Sequence, residues 1–560
     1  MPEYLYRPSL DTGTMPLLSR YAGRTVIQPG IDQSFLNRMT PEGQQADKGN
    51  PEPYYIHDVL PTQQGIKSVA YQTATQITGT TVSTFDRIIP VRDSADNRGF
   101  IGITTDAKTF ILSSFAPTWK EITPVGQPTT TEITVADATG QTFICYPNFD
   151  ILIVDVANSK LIPSGIVWGS MIDANSNAVS NTSIKGITSC YNILLAHDGY
   201  TIYSSSSLSP TDFNPSISTG AQSLVPAAAK GTIILLQQVG IGFAVFTSTN
   251  TVGVQFSGQT QNPWIFKPLP NSAGIKSITA VSETGANGSV YAWTSSGLLQ
   301  ISVIDAQVIQ PALSDMLSSR LFEDFDDATG FPFDTLLYAD MFVRVAYISS
   351  RYIVVSYGPS QPMAYAYVYD NALKQFGKLR QAHVAVCEFN VDSDGTLLSY
   401  GDLAGLSYSD LGNEAYADMN VISNAASSPK RTMGMLTQNG SILIPVLDEF
   451  NYSANACVIL GYYRLVRAKL IELQSVLVEN INSDNYDWTI DAITSLNGKD
   501  LASVVPLTNY TASMGNSNQV GNYSIAWMIG YAYGVDLSLR IRGSFNLVSL
   551  EMRFTLGGDS

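Results

Sequence analysis

Residues 192–206 read NILLAHDGYTIYSSS, and the stretch runs on as SLSPTDFNPS to Ser216. Its later part, from His197, holds one histidine, two aspartates (Asp198 and Asp212) and the serine run 204–207. These residues either form a catalytic constellation or serve two strands and the turns between them. Asp198 and Gly199 favour the turn. An aspartate at the start of a turn accepts nearby backbone N–H bonds, and a following glycine adopts positive φ without steric cost. With β-rich runs on both sides, the stretch reads as a hairpin.

The same texture recurs along the chain. GFIGITTDAKTFILSS turns at Asp106, DILIVDVANSKLIPSG at Asn158, GFAVFTSTNTVGVQFSG at Asn250 and SVYAWTSSGLLQISV at Ser296. AYAYVYDNALKQFGKL turns at Asp370 and EFNVDSDGTLLSYGD at Asp394. The tips at 106, 158, 198, 250 and 296 are 52, 40, 52 and 46 residues apart. That spacing is close to the ~40–50 residues of one four-stranded propeller blade. The expected fold is therefore all-β, a β-propeller of six to seven blades over residues 84–425.

On either side the pattern changes. Residues 1–83 carry Pro and Gly throughout and read as an extended N-terminal arm with short strands. Such an arm must bury itself on the rest of the chain or on a neighbouring subunit. Residues 413–430 form a small-residue linker. Beyond it, 431–560 contains long alternating runs and the Asn-Gly turn of SLNGKD, which predicts a C-terminal β-sandwich.

One segment departs from the β texture. QPALSDMLSSRLFEDF (310–325) places Leu313, Met316, Leu317 and Leu321 at helical spacing after Pro311, with Ser314 as a cap. The acidic EDFDDATGFPFD (323–334) follows. The expectation is a helical and acidic-loop insertion at 311–334. Its residues Glu323, Asp324, Asp326 and Asp327 are the candidate site residues. A calcium loop needs oxygen ligands at fixed offsets and a terminal bidentate Glu; none follows at the right distance, so a solvated acidic loop is the simpler reading.

Composition narrows the function. Of 560 residues, 44% are hydrophobic but only 14% are charged, which suits strands, turns and extensive subunit contact. The net charge is −16, from 31 basic and 47 acidic residues, the wrong balance for gripping a phosphate backbone. Cys145, Cys190, Cys387 and Cys457 stand far apart with no CxxC pair and read as buried free thiols in a reducing cytosol. No secretory signal opens the chain, and no apolar run reaches the ~18 residues of a spanning helix.

Histidine, the usual base of a nucleophilic triad, occurs only at 57, 197 and 383. No GxSxG elbow, phosphate-binding GxxxxGK[ST] or GxGxxG motif is present. Sialidase hairpins of the form Ser-x-Asp-x-Gly-x-Thr-Trp find poor matches: TTDAKTF keeps only Thr and Asp, and AHDGYTI has its glycine one place early. No catalytic residue, metal or cofactor is expected.

The segments NILLAHDGYTIYSSSSLSPTDFNPSISTGAQS, GIGFAVFTSTNTVGVQFSG and SVYAWTSSGLLQIS share a further pattern, carried by Tyr203, Ser204, Pro210, Asp212, Phe213, Gly220, Ala221, Phe246, Thr247, Asn250 and Val252. Together with VLPTQQGIKSVAY in the arm, they resemble the nozzle proteins of short-tailed bacteriophages, also called tail tubular B or packaged-DNA stabilisation proteins. The likeness covers roughly 55–75 and 185–300. It implies a structural virion protein with no enzymatic activity, a homohexamer of propeller plus platform attached below the tail adaptor ring. Its channel would retain and conduct the DNA genome during ejection, and the loop of Glu323, Asp324, Asp326 and Asp327 would face that lumen, as a gate, or a partner. Partners would be the adaptor ring, tail fibre or spike proteins, DNA passing without sequence-specific contact, and the host envelope at the tip. The place implied is the phage tail, after assembly in the host cytoplasm. An acidic wall agrees, since it repels phosphate. The alternatives are a carbohydrate-binding or glycan-degrading propeller at a phage tail tip, and a secreted bacterial adhesin.

Overall fold

The computed structural model describes residues 85–310 and 321–391 with short breaks, 55–74 apart from 63–64, and most of 430–556, besides the short strands Glu3–Tyr6, Ser19–Tyr21 and Arg24–Ile27. Among the described residues the regular elements are strands, apart from two single 3-10 turns at Asn181–Ser183 and Ile278–Ala280.

Four antiparallel four-stranded meanders come first. The first sheet is Phe85–Arg92, Arg98–Thr104, Thr109–Ser113 and Ala116–Glu121. The second is Thr134–Ala138, Gln141–Cys145, Ile151–Asp155 and Lys160–Pro163. The third is Gly186–Cys190, Ile193–His197, Ile202–Ser204 and Gln222–Leu224. The fourth is Ile233–Val239, Gly242–Thr247, Thr251–Phe256 and Trp264–Pro268. A three-stranded fifth sheet follows, Val290–Thr294, Gly297–Ile301 and Ala306–Gln310.

The period-2 alternation of strands explains how these sheets stack. In the second sheet, Phe143, Cys145, Ile151 and Ile153 pack with Ile187, Leu194, Ala196 and Tyr203 of the third. Their neighbours Ile144, Leu152 and Val154 point the other way, onto Val91, Ile101, Ile103 and Ile111 of the first. In the third sheet Ile193, Leu195 and Ile202 meet Phe243, Val245, Val252 and Val254 of the fourth. Ala244 and Phe246 of the fourth then meet Val290, Ala292, Leu299 and Ile301 of the fifth. The inner strands Ile151–Asp155, Ile193–His197 and Gly242–Thr247 are buried on both faces and read as near-continuous hydrophobic runs, whereas outer strands such as Lys160–Pro163 and Gln222–Leu224 do not.

A sixth meander comprises Phe342–Ile348, Tyr352–Gly358, Met363–Asp370 and Gln375–His383. Its Val345 and Tyr365 share a cluster with Tyr291 and Leu298 of the fifth sheet. The seventh sheet is Ala385–Val391, Lys430–Leu436 and Ile442–Val446, completed by Ala70–Ala74 from the N-terminal segment. Ile348, Val354 and Leu379 of the sixth pack on Met433 and Met435 of the seventh. Ala385, Leu436 and Ile442 of the seventh pack on Phe85 and Trp119 of the first. Strand Lys430–Leu436 thus shares a sheet with Ala385–Val391, so the domain boundary expected at 425–431 falls within one sheet.

The C-terminal region contributes two further layers. A five-stranded sheet runs Leu501–Pro506, Trp488–Ser495, Asp536–Gly543, Ala456–Ile459 and Tyr55–His57. Strand Ile471–Ile481 pairs with Tyr523–Gly534 on one side and Asn546–Leu556 on the other, and Asn546–Leu556 joins Ile66–Ser68. Val476, Val478, Met528 and Leu550 of that layer share a hydrophobic cluster with Val458, Ile490, Leu539 and Ile541 of the five-stranded sheet. The N-terminal segment 55–74 therefore enters three sheets in turn: Tyr55–His57 in the five-stranded one, Val59–Pro61 beside the sixth meander, and Ala70–Ala74 in the seventh.

The acidic insertion differs from its expected form. Residues 311–320, which hold most of the helical spacing, lie outside the described residues, as does Asp394. From Leu321 onward the chain is a β-hairpin, Leu321–Asp326 against Phe331–Leu336, with Phe325 opposite Pro332 and Asp326 opposite Phe331. Aromatic residues prefer the pleated conformation, and Gly330 at φ +69° supplies the left-handed turn position. Glu323, Asp324 and Asp326 are thus strand residues, and only Asp327 lies in the turn.

Candidate functional site: the acidic hairpin and its cradle

The polar residues of 197–216 are spent on architecture. Asp198 Oδ1 accepts the backbone N–H groups of Tyr200 (2.8 Å) and Thr201 (2.7 Å), and its Oδ2 accepts the Tyr203 hydroxyl at 2.6 Å. Ser204 Oγ accepts the indole N–H of Trp264 (3.2 Å), and Ser205 Oγ accepts the N–H of Leu194 (2.9 Å). His197 is sealed in the core with neither ring nitrogen hydrogen-bonded, and burial pulls its pKa down to about 4. A neutral imidazole so enclosed reaches no substrate. The same turn chemistry recurs at Asp93, Asp173, Thr247 and Asp370, whose side-chain oxygens accept N–H groups of the turns they open.

The other histidines are also enclosed. His57 Nε2 meets the Asn455 carbonyl at 2.9 Å, and burial, helped by the charge of Arg380, lowers its pKa to about 3. His383 lies between the Gln381 carbonyl (2.6 Å) and Ser356 Oγ (2.7 Å), with its pKa lowered by burial to about 4. Cys145, Cys190 and Cys457 are free and buried, each thiol pushed up to about 12 chiefly by desolvation. Among the described residues no group of three or more His, Cys, Asp or Glu stands placed to hold a metal ion, and no helix is long and apolar enough to cross a membrane.

The acidic hairpin brings the candidate residues onto a defined cradle. Phe325 stacks on Tyr55 with ring centroids 5.2 Å apart, and the His57 ring meets it edge-on at 4.4 Å. The Arg380 guanidinium lies 5.2 Å over the same ring. Arg380 also grips the turn: its Nη1 donates to Asp327 Oδ1 at 2.6 Å, and its Nη2 to Asp327 Oδ2 and the Phe325 carbonyl, both at 3.0 Å. That bidentate pairing holds the Asp327 carboxyl below the usual carboxylate range.

The far side of the turn is held from the five-stranded sheet. Arg540 Nη1 donates to the carbonyls of Thr329 (3.1 Å) and Gly330 (2.9 Å), and its guanidinium covers the Phe331 ring at 4.5 Å. Arg540 is itself fixed by the buried Asp491 carboxylate, Nε to Oδ2 at 2.9 Å, with Arg542 adding a 3.3 Å contact to the same oxygen. Asp326 caps its own turn by accepting the N–H of Ala328 at 2.9 Å. Of the four acidic candidates, the structure thus gives Asp327 a cationic partner and Asp326 a turn role. Glu323 stands opposite Asp334 in the strand register and Asp324 opposite Phe333.

Two buried charge sites escape sequence reasoning altogether. Asp86 accepts Arg344 Nη2 at 2.5 Å and Gln361 Nε2 at 2.9 Å, joining the first sheet to the sixth. Asp58 Oδ1 accepts the Tyr71 hydroxyl at 2.5 Å and the Arg380 backbone N–H at 2.8 Å, and burial raises its pKa to about 6. Arg344, Gln361 and Arg380 lie hundreds of residues from the carboxylates they meet, and Tyr71 reaches Asp58 across 13, so no local motif announces either site.

No protein-family model matches the chain, and no curated protein matches its sequence. Among solved structures it is similar to one described as "YCF48 bound to D1 peptide", at 12% identity and a TM-score of 0.35, over 70% of this chain and 100% of that one. At that score the overlap bears on neither fold nor function.

Proposed function

We propose that the chain is the subunit of a phage tail nozzle, an oligomeric ring whose channel retains and then conducts the genome. In this reading the seven successive sheets are blades of a closed propeller, sealed by the N-terminal strand Ala70–Ala74, and the two C-terminal layers are a sandwich-like platform. The observation that carries it is the path of residues 55–74, which bind blade-type sheets and C-terminal layers into one body. A channel wall has to stay rigid while DNA moves past it, and a segment shared by three sheets resists their separation.

The sequence likeness to nozzle proteins supports the same reading, because it falls on residues that set this architecture. Tyr203, Phe213, Phe246 and Val252 are fully buried, Asp212 accepts the Asn214 N–H at 3.0 Å, and Gly220 takes a φ of +78°. The net charge of −16 suits passage of DNA without adhesion. Negative-stain microscopy with mass photometry tests the proposal. Sixfold rings with a central hole are expected, and a monomer at micromolar concentration overturns it. Purified rings should also leave DNA unbound at low salt.

A further inference from the structure

We propose that hairpin 321–336 is a releasable strap, which lifts from its cradle as a unit while the sheets beneath stay folded. Three observations lead there. Among the described residues its two strands pair only with each other, so lifting breaks no ladder of another sheet. Its described polar grip is confined to the tip, through Arg380 on one side and Arg540 on the other. The Asp327 side chain in that grip is 76% exposed, which leaves the ion pair open to screening by salt.

Lifting the strap frees the Arg380 guanidinium and Arg540 Nη1 to solvent, while the bonds that hold the cradle itself stay in place. Arg540 keeps Asp491, His57 keeps the Asn455 carbonyl, and the Arg380 backbone keeps Asp58. What opens is an apolar floor of Tyr55, Cys457, Ile459 and Ile493, which Phe325 and Phe331 cover in the closed form. A two-stranded hairpin is marginal on its own in water, so its closed state depends on this docking. Gly330 is the tightest point: a Cβ there would stand 2.7 Å from Arg540 Nη1 and 3.3 Å from Arg542 Nη1. The inference is independent of the nozzle assignment.

Cys457 reports the opening. Cys145 and Cys190 are buried in clusters remote from the strap and serve as controls, and all three thiols have the same raised pKa of about 12. Labelling with a thiol reagent is followed peptide by peptide by mass spectrometry on the full chain. In the unmodified protein Cys457 should label at least tenfold faster than the two controls, and faster still in 1 M salt. Asp327→Ala should raise the Cys457 rate about threefold, the scale of one exposed ion pair, and abolish most of the salt effect. Gly330→Val should raise it tenfold or more with Cys145 and Cys190 unchanged. Equal rates for all three thiols overturn the proposal, because opening is then global unfolding. A Cys457 rate unmoved by Gly330→Val overturns it as well.

Discussion

Asp58→Asn isolates the cost of a buried carboxylate. In the folded chain Asp58 faces the Tyr71 hydroxyl, the Arg380 N–H and the charges of Arg380 and Lys378, yet burial outweighs them and sets its pKa at about 6 against an ordinary 3.8. The folded state therefore holds this proton more tightly than the unfolded state. Its stabilising contribution is complete below pH 3.8 and is lost as the pH rises through 6, after which it stays constant. A displacement of about two units corresponds to ~3 kcal/mol. Asparagine keeps the accepting oxygen for Tyr71 and Arg380 and carries no charge at any pH. The variant should thus gain on the parent by ~3 kcal/mol between pH 3.8 and 6, and hold that gain to pH 8. Urea unfolding of both proteins at half-unit pH intervals measures the difference directly. A difference that is flat from pH 4 to pH 7, or that grows as the pH falls, refutes the reasoning.

The difference is needed because the histidines act in the opposite sense across the same window. His197 titrates at about 4 when folded and about 6.5 when unfolded, so stability is lost as the pH falls below 6.5. His197→Gln should remove ~3 kcal/mol of that acid sensitivity, read from the same urea series. Arg344→Met leaves the Asp86 carboxylate buried with Gln361 as its remaining described side-chain donor and should cost ~3–5 kcal/mol, measured by the shift in urea midpoint. Gly242→Ala drives a Cβ to 1.9 Å from the Val254 carbonyl oxygen. It should cost about 3 kcal/mol and speed labelling of Cys190, whose thiol donates to the Gly242 carbonyl. Trp264→Phe deletes the indole bond to Ser204 and should cost ~1 kcal/mol by the same unfolding measurement.

Much of the fold was legible because turns are written locally. Asp106, Asn158, Asp198, Asn250, Ser296 and Asp370 each fall at or beside a turn between paired strands. The serine run was legible for the same reason: short polar side chains beside a turn bond to backbone. Within the insertion expected at 311–334, the hairpin from Leu321 onward is not legible locally: Leu321 continues a helical spacing from Leu313, and the residues that hold the hairpin, Tyr55, Arg380 and Arg540, are far away in sequence. Arg540 binds carbonyl groups, which every residue has, so the hairpin sequence carries no mark of that contact. The pairing of Ala70–Ala74 with Ile442–Val446 is equally silent, since the ladder is made by backbone groups that every strand offers.

The same pairing sets a timetable for folding. Ala74 lies opposite Ile442, so the first-made strand of the seventh sheet waits for about 370 further residues before its partner exists. At ~5–20 residues per second of synthesis, that is roughly 20 to 70 s with this strand lacking its partner. Tyr55–His57 waits longer for Ala456–Ile459, and Glu3–Tyr6 for the last strand of the chain. The middle meanders can fold as they emerge, since each pairs within itself. Tyr55–His57 and Ala70–Ala74 cannot, and during that interval their edges stand open to pairing with a neighbour on the same message.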